Sequence, residues 1–105
     1  MVAPLNIALP PDAISTYCQK WQVAELALFG SVLREDFHAN SDVDVLVTFR
    51  ADARPTLFTL SEMTAELESI VGRKIDLVTR GSVEKSENYL LRDAVLQSAQ
   101  VIYGA

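Results

Sequence analysis

Cysteine and histidine are almost missing from this chain: Cys18 and His38 are the only examples among 105 residues. One cysteine cannot close an internal disulfide, and no second cysteine or histidine stands at a zinc-ligand spacing from it. A structural zinc site and a disulfide framework are both excluded, and Cys18 reads as a small buried apolar residue. Basic residues are also few. Nine Lys and Arg face fourteen Asp and Glu, for a formal net charge of −5, and the nine are scattered along the chain. An extensive nucleic-acid-binding surface works by neutralising phosphates with clustered cations, so it is not expected here. Long apolar runs are absent too: none approaches the roughly 20 residues that cross a bilayer, and the start, Met1-Val2-Ala3-Pro4-Leu5, has no basic leader region. The expectation is a cytoplasmic protein without a membrane partner.

What is present is enough for a core. Half of the residues are hydrophobic, and 105 residues suit one domain covering 1–105 without metal or disulfide support. No internal repeat, low-complexity tract or linker interrupts it.

Pro10-Pro11-Asp12 opens a helical pattern in which Ile14, Tyr17, Cys18 and Trp21 fall on one face. Val23 to Phe29 reads as an apolar strand stopped by Gly30, and Val32 to Phe37 as a short helix beginning just after Ser31. After the turn-prone Ala39-Asn40-Ser41, the β-branched run from Val43 towards Arg50 is the clearest strand. Leu57, Leu60, Met63, Leu67 and Ile70 share a face of a second long helix, which Gly72 is placed to end in a left-handed cap. Lys74 to Thr79 forms the next strand. A last helix is expected from Asn88 to about Gln97 with Leu90, Leu91, Ala94 and Val95 inward, then a short strand at Val101-Ile102-Tyr103. Alternating strands and helices predict an α/β (α+β) domain, a small mixed sheet flanked by helices. The polar loop from Arg50 to Pro55 reads as an ordinary strand-to-helix connection.

Two short stretches carry the chemistry. Leu28-Phe29-Gly30-Ser31-Val32-Leu33-Arg34 puts a glycine at the end of a strand and a serine where a helix exposes free N–H groups and its positive dipole end, an arrangement that holds phosphate. Arg34, one turn on, can face added negative charge, although a surface arginine needs no such role. Ten residues, 32 through 41, separate Ser31 from Asp42. Strand alternation then points Asp42 and Asp44 the same way. Two carboxylates side by side repel, and a divalent cation relieves the repulsion. Magnesium, which favours a few carboxylates together with phosphate oxygens and water, suits such a pair next to a triphosphate. The plainer reading has Asp42 ending a turn and Asp44 on a solvated strand edge; the glycine-serine turn upstream weighs against it. His38, in the connecting loop, reads as an exposed polar residue.

Gly30-Ser31, ten residues, then Asp42-x-Asp44 on a strand resembles the signature of the DNA polymerase beta-like nucleotidyltransferase superfamily. The match covers most of the chain, and its length is similar to that of the minimal nucleotidyltransferases, the MNT family. The resemblance implies a third carboxylate from a later strand, and Asp76 in Lys74-Ile75-Asp76-Leu77-Val78 is the matching position. It implies two magnesium ions on Asp42, Asp44 and Asp76, ATP as substrate, and a nucleotide held by Gly30, Ser31 and Arg34. It further implies transfer of AMP to a tyrosine of a HEPN-domain toxin, for which the chain would be the antitoxin. Relatives commonly carry glycine after the motif arginine, where this chain has Glu35, a departure that bears on the phosphate loop and not on the metal acids. Two other functions stay open: adenylylation of a small-molecule hydroxyl, for which the chain lacks a second substrate-binding domain, and a non-catalytic antitoxin that neutralises its partner by contact, against which the intact acidic set speaks. Homo- or hetero-oligomeric state is left open.

Overall fold

A computed structural model describes residues 9–30 and 42–104. Ser31, Arg34, Glu35, His38 and the short helix expected at Val32 to Phe37 lie outside the described residues. The element order is α1 (Pro11–Lys20), β1 (Val23–Phe29), β2 (Val43–Phe49), α2 (Leu57–Val71), β3 (Ile75–Thr79), α3 (Arg80–Glu84), α4 (Tyr89–Ser98) and β4 (Gln100–Gly104). The four strands form one mixed sheet in the order β3-β2-β1-β4. β1 pairs antiparallel with both β2 and β4, and β2 runs parallel to β3. The α/β fold with a small mixed sheet is therefore as the alternating pattern implied. Parallel neighbours need a crossover, and α2 supplies it.

Helix α1 starts where Pro11 already holds the helical φ, with Asp12 in its first turn and Lys20 in its last, each favourable to the helix dipole. Ile14, Tyr17 and Cys18 are buried, and the Tyr17 hydroxyl donates to the Met63 carbonyl of α2 at 3.0 Å. Trp21, expected to extend that face, is instead the C-cap and only half buried, because Gln22 turns the chain into β1 with a φ of 57°.

Each sheet face carries its own core. Against the first, α1 and α2 pack Tyr17, Cys18, Met63 and Leu67 onto Leu26, Leu28, Val43, Val45, Val47 and Ile75. Against the second, Val95 of α4 meets Ala27 and Leu46, with Phe29, Val78, Val83, Leu96 and Ala99 around them. Strict alternation would send Val23 to the opposite face from Leu26 and Leu28. A bulge between Val23 and Glu25 shifts the register by one residue, so all three reach the first core.

Three helical details depart from the pattern read in the sequence. Leu57 is 86% exposed, because α2 engages the core only from Leu60 onward. In α4, Val95 is buried, but Leu90 and Leu91 are 69% and 57% exposed and Ala94 is exposed as well. That helix meets the sheet through Val95, Leu96 and the following Ala99, so its first turn projects past the area the sheet covers. Helix α3 was not anticipated; its five residues start where the Thr79 hydroxyl accepts from the Ser82 N–H at 3.1 Å. Among the described residues, no helix is long and apolar enough to cross a membrane.

Candidate active site

The acids meet because of strand register. Val43 and Val45 turn into the first core, so alternation directs Asp42 and Asp44 to the other side, the one carrying α3 and α4. Asp44 sits opposite Asp76 in the parallel β2–β3 pairing and opposite Phe29 in the antiparallel β1–β2 pairing. Side chains paired across neighbouring strands share a face, and the strands lie about 4.8 Å apart. The carboxylates of Asp44 and Asp76 therefore emerge side by side. Asp44 is half buried and Asp42 and Asp76 are exposed, which sets Asp44 deeper than the other two.

Two hydrogen bonds pin the strand starts that carry these acids. The Val43 N–H donates to the Lys74 carbonyl at 2.9 Å, and the Ile75 N–H donates to Glu68 Oε2 of α2 at 3.0 Å. A slip of either strand would break one of them and move one aspartate to the wrong face.

Gly30 ends β1 with a φ of +75°. A Cβ built there would run into the Asp44 carboxylate, whose Oδ2 occupies that space and whose Cγ would lie 3.2 Å away. The absent side chain thus lets the turn backbone approach the central acid directly, as a phosphate held by that turn and a cation held by that acid would require. Ser31 and Arg34, the other expected nucleotide contacts, lie outside the described residues. The described part of the site brings together Gly30, Asp42, Asp44 and Asp76.

Among the described residues, no three of the Asp, Glu, His and Cys side chains close around a single point. Asp44 and Asp76 stand side by side across β2 and β3, with Asp42 two residues back along the chain, an open set and not a cage. Hard oxygen donors in an open set fit magnesium, which keeps waters and takes phosphate oxygens as its remaining ligands. The sheet face continues from Asp76 into a cleft of about 440 Å³ lined by the apolar Phe29, Val78, Val83, Leu91 and Val95 and by the polar Ser82, Ser86 and Arg92. Sequence reading missed this cleft. Its residues come from β1, β3, α3, α4 and the connection between those two helices and share no spacing, and the one hint was the pair of large apolar residues, Leu90 and Leu91, beside Arg92.

Cys18 takes no part in the site. It lies in the first core, and burial pushes its thiol from 9.0 up to about 12, consistent with an inert apolar role.

A glycine turn against a strand-borne aspartate, with a second aspartate in register on the parallel neighbour, defines a nucleotidyltransferase-type core. Residues 12–102 match the model of the nucleotidyltransferase domain family, and the chain belongs to that family. Among its relatives, the protein adenylyltransferase MntA of Thermococcus cleftensis is 33% identical over 78 residues, which take in 73% of this chain and 77% of that protein. A Methanocaldococcus jannaschii protein named for the same activity is 38% identical over 64 residues, 61% of this chain and 64% of the relative, so this match spans just under two thirds of that relative's length. The crystal structure of a toxin–antitoxin with AMP-PNP has a TM-score of 0.68 at 22% identity, covering 92% of this chain and 75% of that one. The complex of a tri-AMPylated HEPN toxin of Shewanella oneidensis with its MNT antitoxin has a TM-score of 0.60 at 20% identity, covering 90% and 70%. At these identities the two structures share the fold with this chain.

Proposed function

We propose that the chain is a magnesium-dependent protein adenylyltransferase that moves AMP from ATP to a hydroxyl, that of a tyrosine, on a partner HEPN toxin, and thereby acts as the antitoxin. The observation that carries this is the register match of Asp44 with Asp76 beside the Gly30 turn. Relatives named as protein adenylyltransferases, and a solved neighbour holding an AMPylated HEPN toxin, support the choice of protein acceptor. ATP as the nucleotide is supported by the neighbour with AMP-PNP.

In this reading Asp42, Asp44 and Asp76 would hold two magnesium ions, which would supply charge stabilisation to the entering and leaving oxygens of an in-line displacement. The remaining work belongs to the chain. Backbone N–H groups after Gly30, with Ser31 and Arg34, orient the terminal phosphates, and close approach at Gly30 keeps the α-phosphorus next to Asp44. Asp76 accepts the proton of the incoming hydroxyl. The acceptor oxygen bonds to the α-phosphorus, the bond to the bridging oxygen breaks, and pyrophosphate leaves. We place the whole activity in one domain, 1–105.

The test combines calorimetry with mass spectrometry. ATP should bind with magnesium and not without it, and Asp42→Asn with Asp44→Asn should remove binding. Asp76→Asn should keep binding but lose transfer. The protein co-purified with its genomic neighbour and given ATP and magnesium should add whole AMP units to that neighbour, and Asp44→Asn should add none. Metal-independent ATP binding would overturn the assignment of the acids, and an unmodified but tightly bound, inhibited neighbour would replace catalysis with neutralisation by contact.

A further inference from the structure

The acceptor proposed above comes from outside the chain, yet one hydroxyl of the chain itself stands level with the acid that takes the acceptor's proton. We infer that Ser86 is an internal acceptor: with no partner in place, the chain moves AMP from ATP onto its own Ser86, and the modified side chain closes the site. The inference rests on the function proposed above and adds a second activity that limits the first.

The path of the chain after β3 places Ser86. From Asp76 the strand runs three residues to Thr79, about 10 Å away from the acid. The chain then turns back: α3 starts at Arg80 and packs on β2 and β3, and Ser82, Val83 and Ser86 line the same cleft as Val78 and Asp76. The N–H groups of Lys85 and Ser86 donate to the Gly81 and Val83 carbonyls, each at 3.1 Å, so the helical path continues as far as Ser86. Seven residues from Thr79 at helical rise also span about 10 Å. The return matches the outward run and brings Ser86 level with Asp76, whereas Ser82 has come back less than half of the way.

The same cleft reaches the donor. Asp44 pairs in register with Phe29 on one side and Asp76 on the other, and Phe29 and Asp76 both line the cleft. An α-phosphorus held beside Asp44 therefore lies between them, over the cleft that Ser86 lines.

Ser86 also has the chemistry for the step. It is half buried in the connection between α3 and α4, and its Oγ accepts from the Asn88 N–H at 3.3 Å, which orients the oxygen and leaves its own proton to give. Asp76 takes that proton, Ser86 Oγ bonds to the α-phosphorus, the bond from that phosphorus to the bridging oxygen breaks, and pyrophosphate leaves. The product is a serine phosphodiester of AMP. An acceptor tethered beside its donor has a high effective concentration, so the step needs no docking energy. The adenylyl group then occupies the cleft of about 440 Å³ and shuts other hydroxyls out of it.

The test uses the whole chain without its genomic neighbour, incubated with ATP and magnesium and weighed intact. The parent should gain one AMP unit, and peptide mass spectrometry should place it on Ser86, a result that depends on no variant folding. Ser86→Ala should gain none, while Ser82→Ala, which removes the other serine hydroxyl of the cleft, should be modified like the parent. The rate per molecule should stay constant over an about tenfold range of protein concentration, as an intramolecular step requires. When the neighbour is added afterwards, the earlier incubation should slow AMP transfer by the parent about tenfold or more, and should leave transfer by Ser86→Ala at that variant's own unincubated rate. An unmodified parent that still transfers AMP to the neighbour would overturn the inference and leave the proposed function standing. AMP on another residue, a modified Ser86→Ala or a rate per molecule that rises with protein concentration would overturn it equally. A parent that neither binds magnesium-ATP nor transfers AMP would instead overturn the proposed function, and the inference with it.

Discussion

Gly30 answers two demands at one position, and each alone would select glycine. Its φ of +75° costs a residue with a Cβ about 1–2 kcal/mol, and that Cβ would also displace the Asp44 carboxylate. Gly30→Ala is therefore expected to lower stability in urea by more than the backbone strain alone, about 2–3 kcal/mol in all, and to weaken magnesium-ATP binding at the same time. Urea unfolding and calorimetry on the same variant check it; unchanged ATP affinity would mean that the Asp44 carboxylate can move aside without loss. At this scale the sequence was highly legible. A strand-ending glycine and two acids two residues apart are local patterns that strand geometry turns into a shared face. Arg92 and Ser82 were illegible because nothing local distinguishes an arginine or serine at a cleft from one on an ordinary surface.

Helix α2 shows what caps contribute to the site. Thr56 accepts from the Thr59 N–H at 3.1 Å at its start, and Gly72 ends it with a φ of +76° while its N–H donates to the Glu68 carbonyl at 2.8 Å. The Glu68 side chain then holds the Ile75 N–H, which fixes where β3 begins and so where Asp76 falls. Nothing lies within 4 Å of a Cβ added to Gly72. Gly72→Ala should accordingly cost only the backbone term, about 1 kcal/mol by thermal unfolding, and leave ATP binding as it was. A larger loss, or a loss of binding, would show that the cap also sets the β3 register. The expected glycine cap was readable because left-handed caps select glycine almost alone. The outward first turn of α4 was not: its Leu90, Leu91, Ala94 and Val95 form a credible apolar stripe, and only the limited reach of the sheet leaves the first three outside.

For the molecule as a whole, the thicker α1/α2 layer holds two buried acidic groups with raised pKa values. Burial pushes the Cys18 thiol up to about 12, and burial first, then the neighbouring Cys18 and Glu66, pushes the Tyr17 hydroxyl up further. A group whose folded pKa lies above its unfolded value favours the fold while protonated. This stabilisation is complete below the ordinary thiol value of 9.0 and declines as pH rises through it towards about 12. Stability in urea should fall between about pH 9 and pH 11, and Cys18→Ala should reduce the slope at a cost of its own in packing. A parent and variant with the same pH dependence would remove Cys18 from the account. At neutral pH the thiol should resist alkylation until the chain unfolds.

The sequence by itself determined whatever has a short repeat: the helix face of Ile14, Tyr17 and Cys18, the β2 strand, the shared direction of Asp42 and Asp44, and the glycine stops at Gly30 and Gly72. These depend on neighbours within a turn or a few residues, so periods of 3.6 and 2 express them. Asp76, by contrast, was picked out through likeness to a family, and only the tertiary structure put it opposite Asp44, 32 positions earlier in the chain. The β1 bulge, the projection of α4 and the cleft at Asp76 were likewise decided there. Each follows from how non-neighbouring elements share one small sheet, where a slip of one residue would exchange the buried and exposed faces.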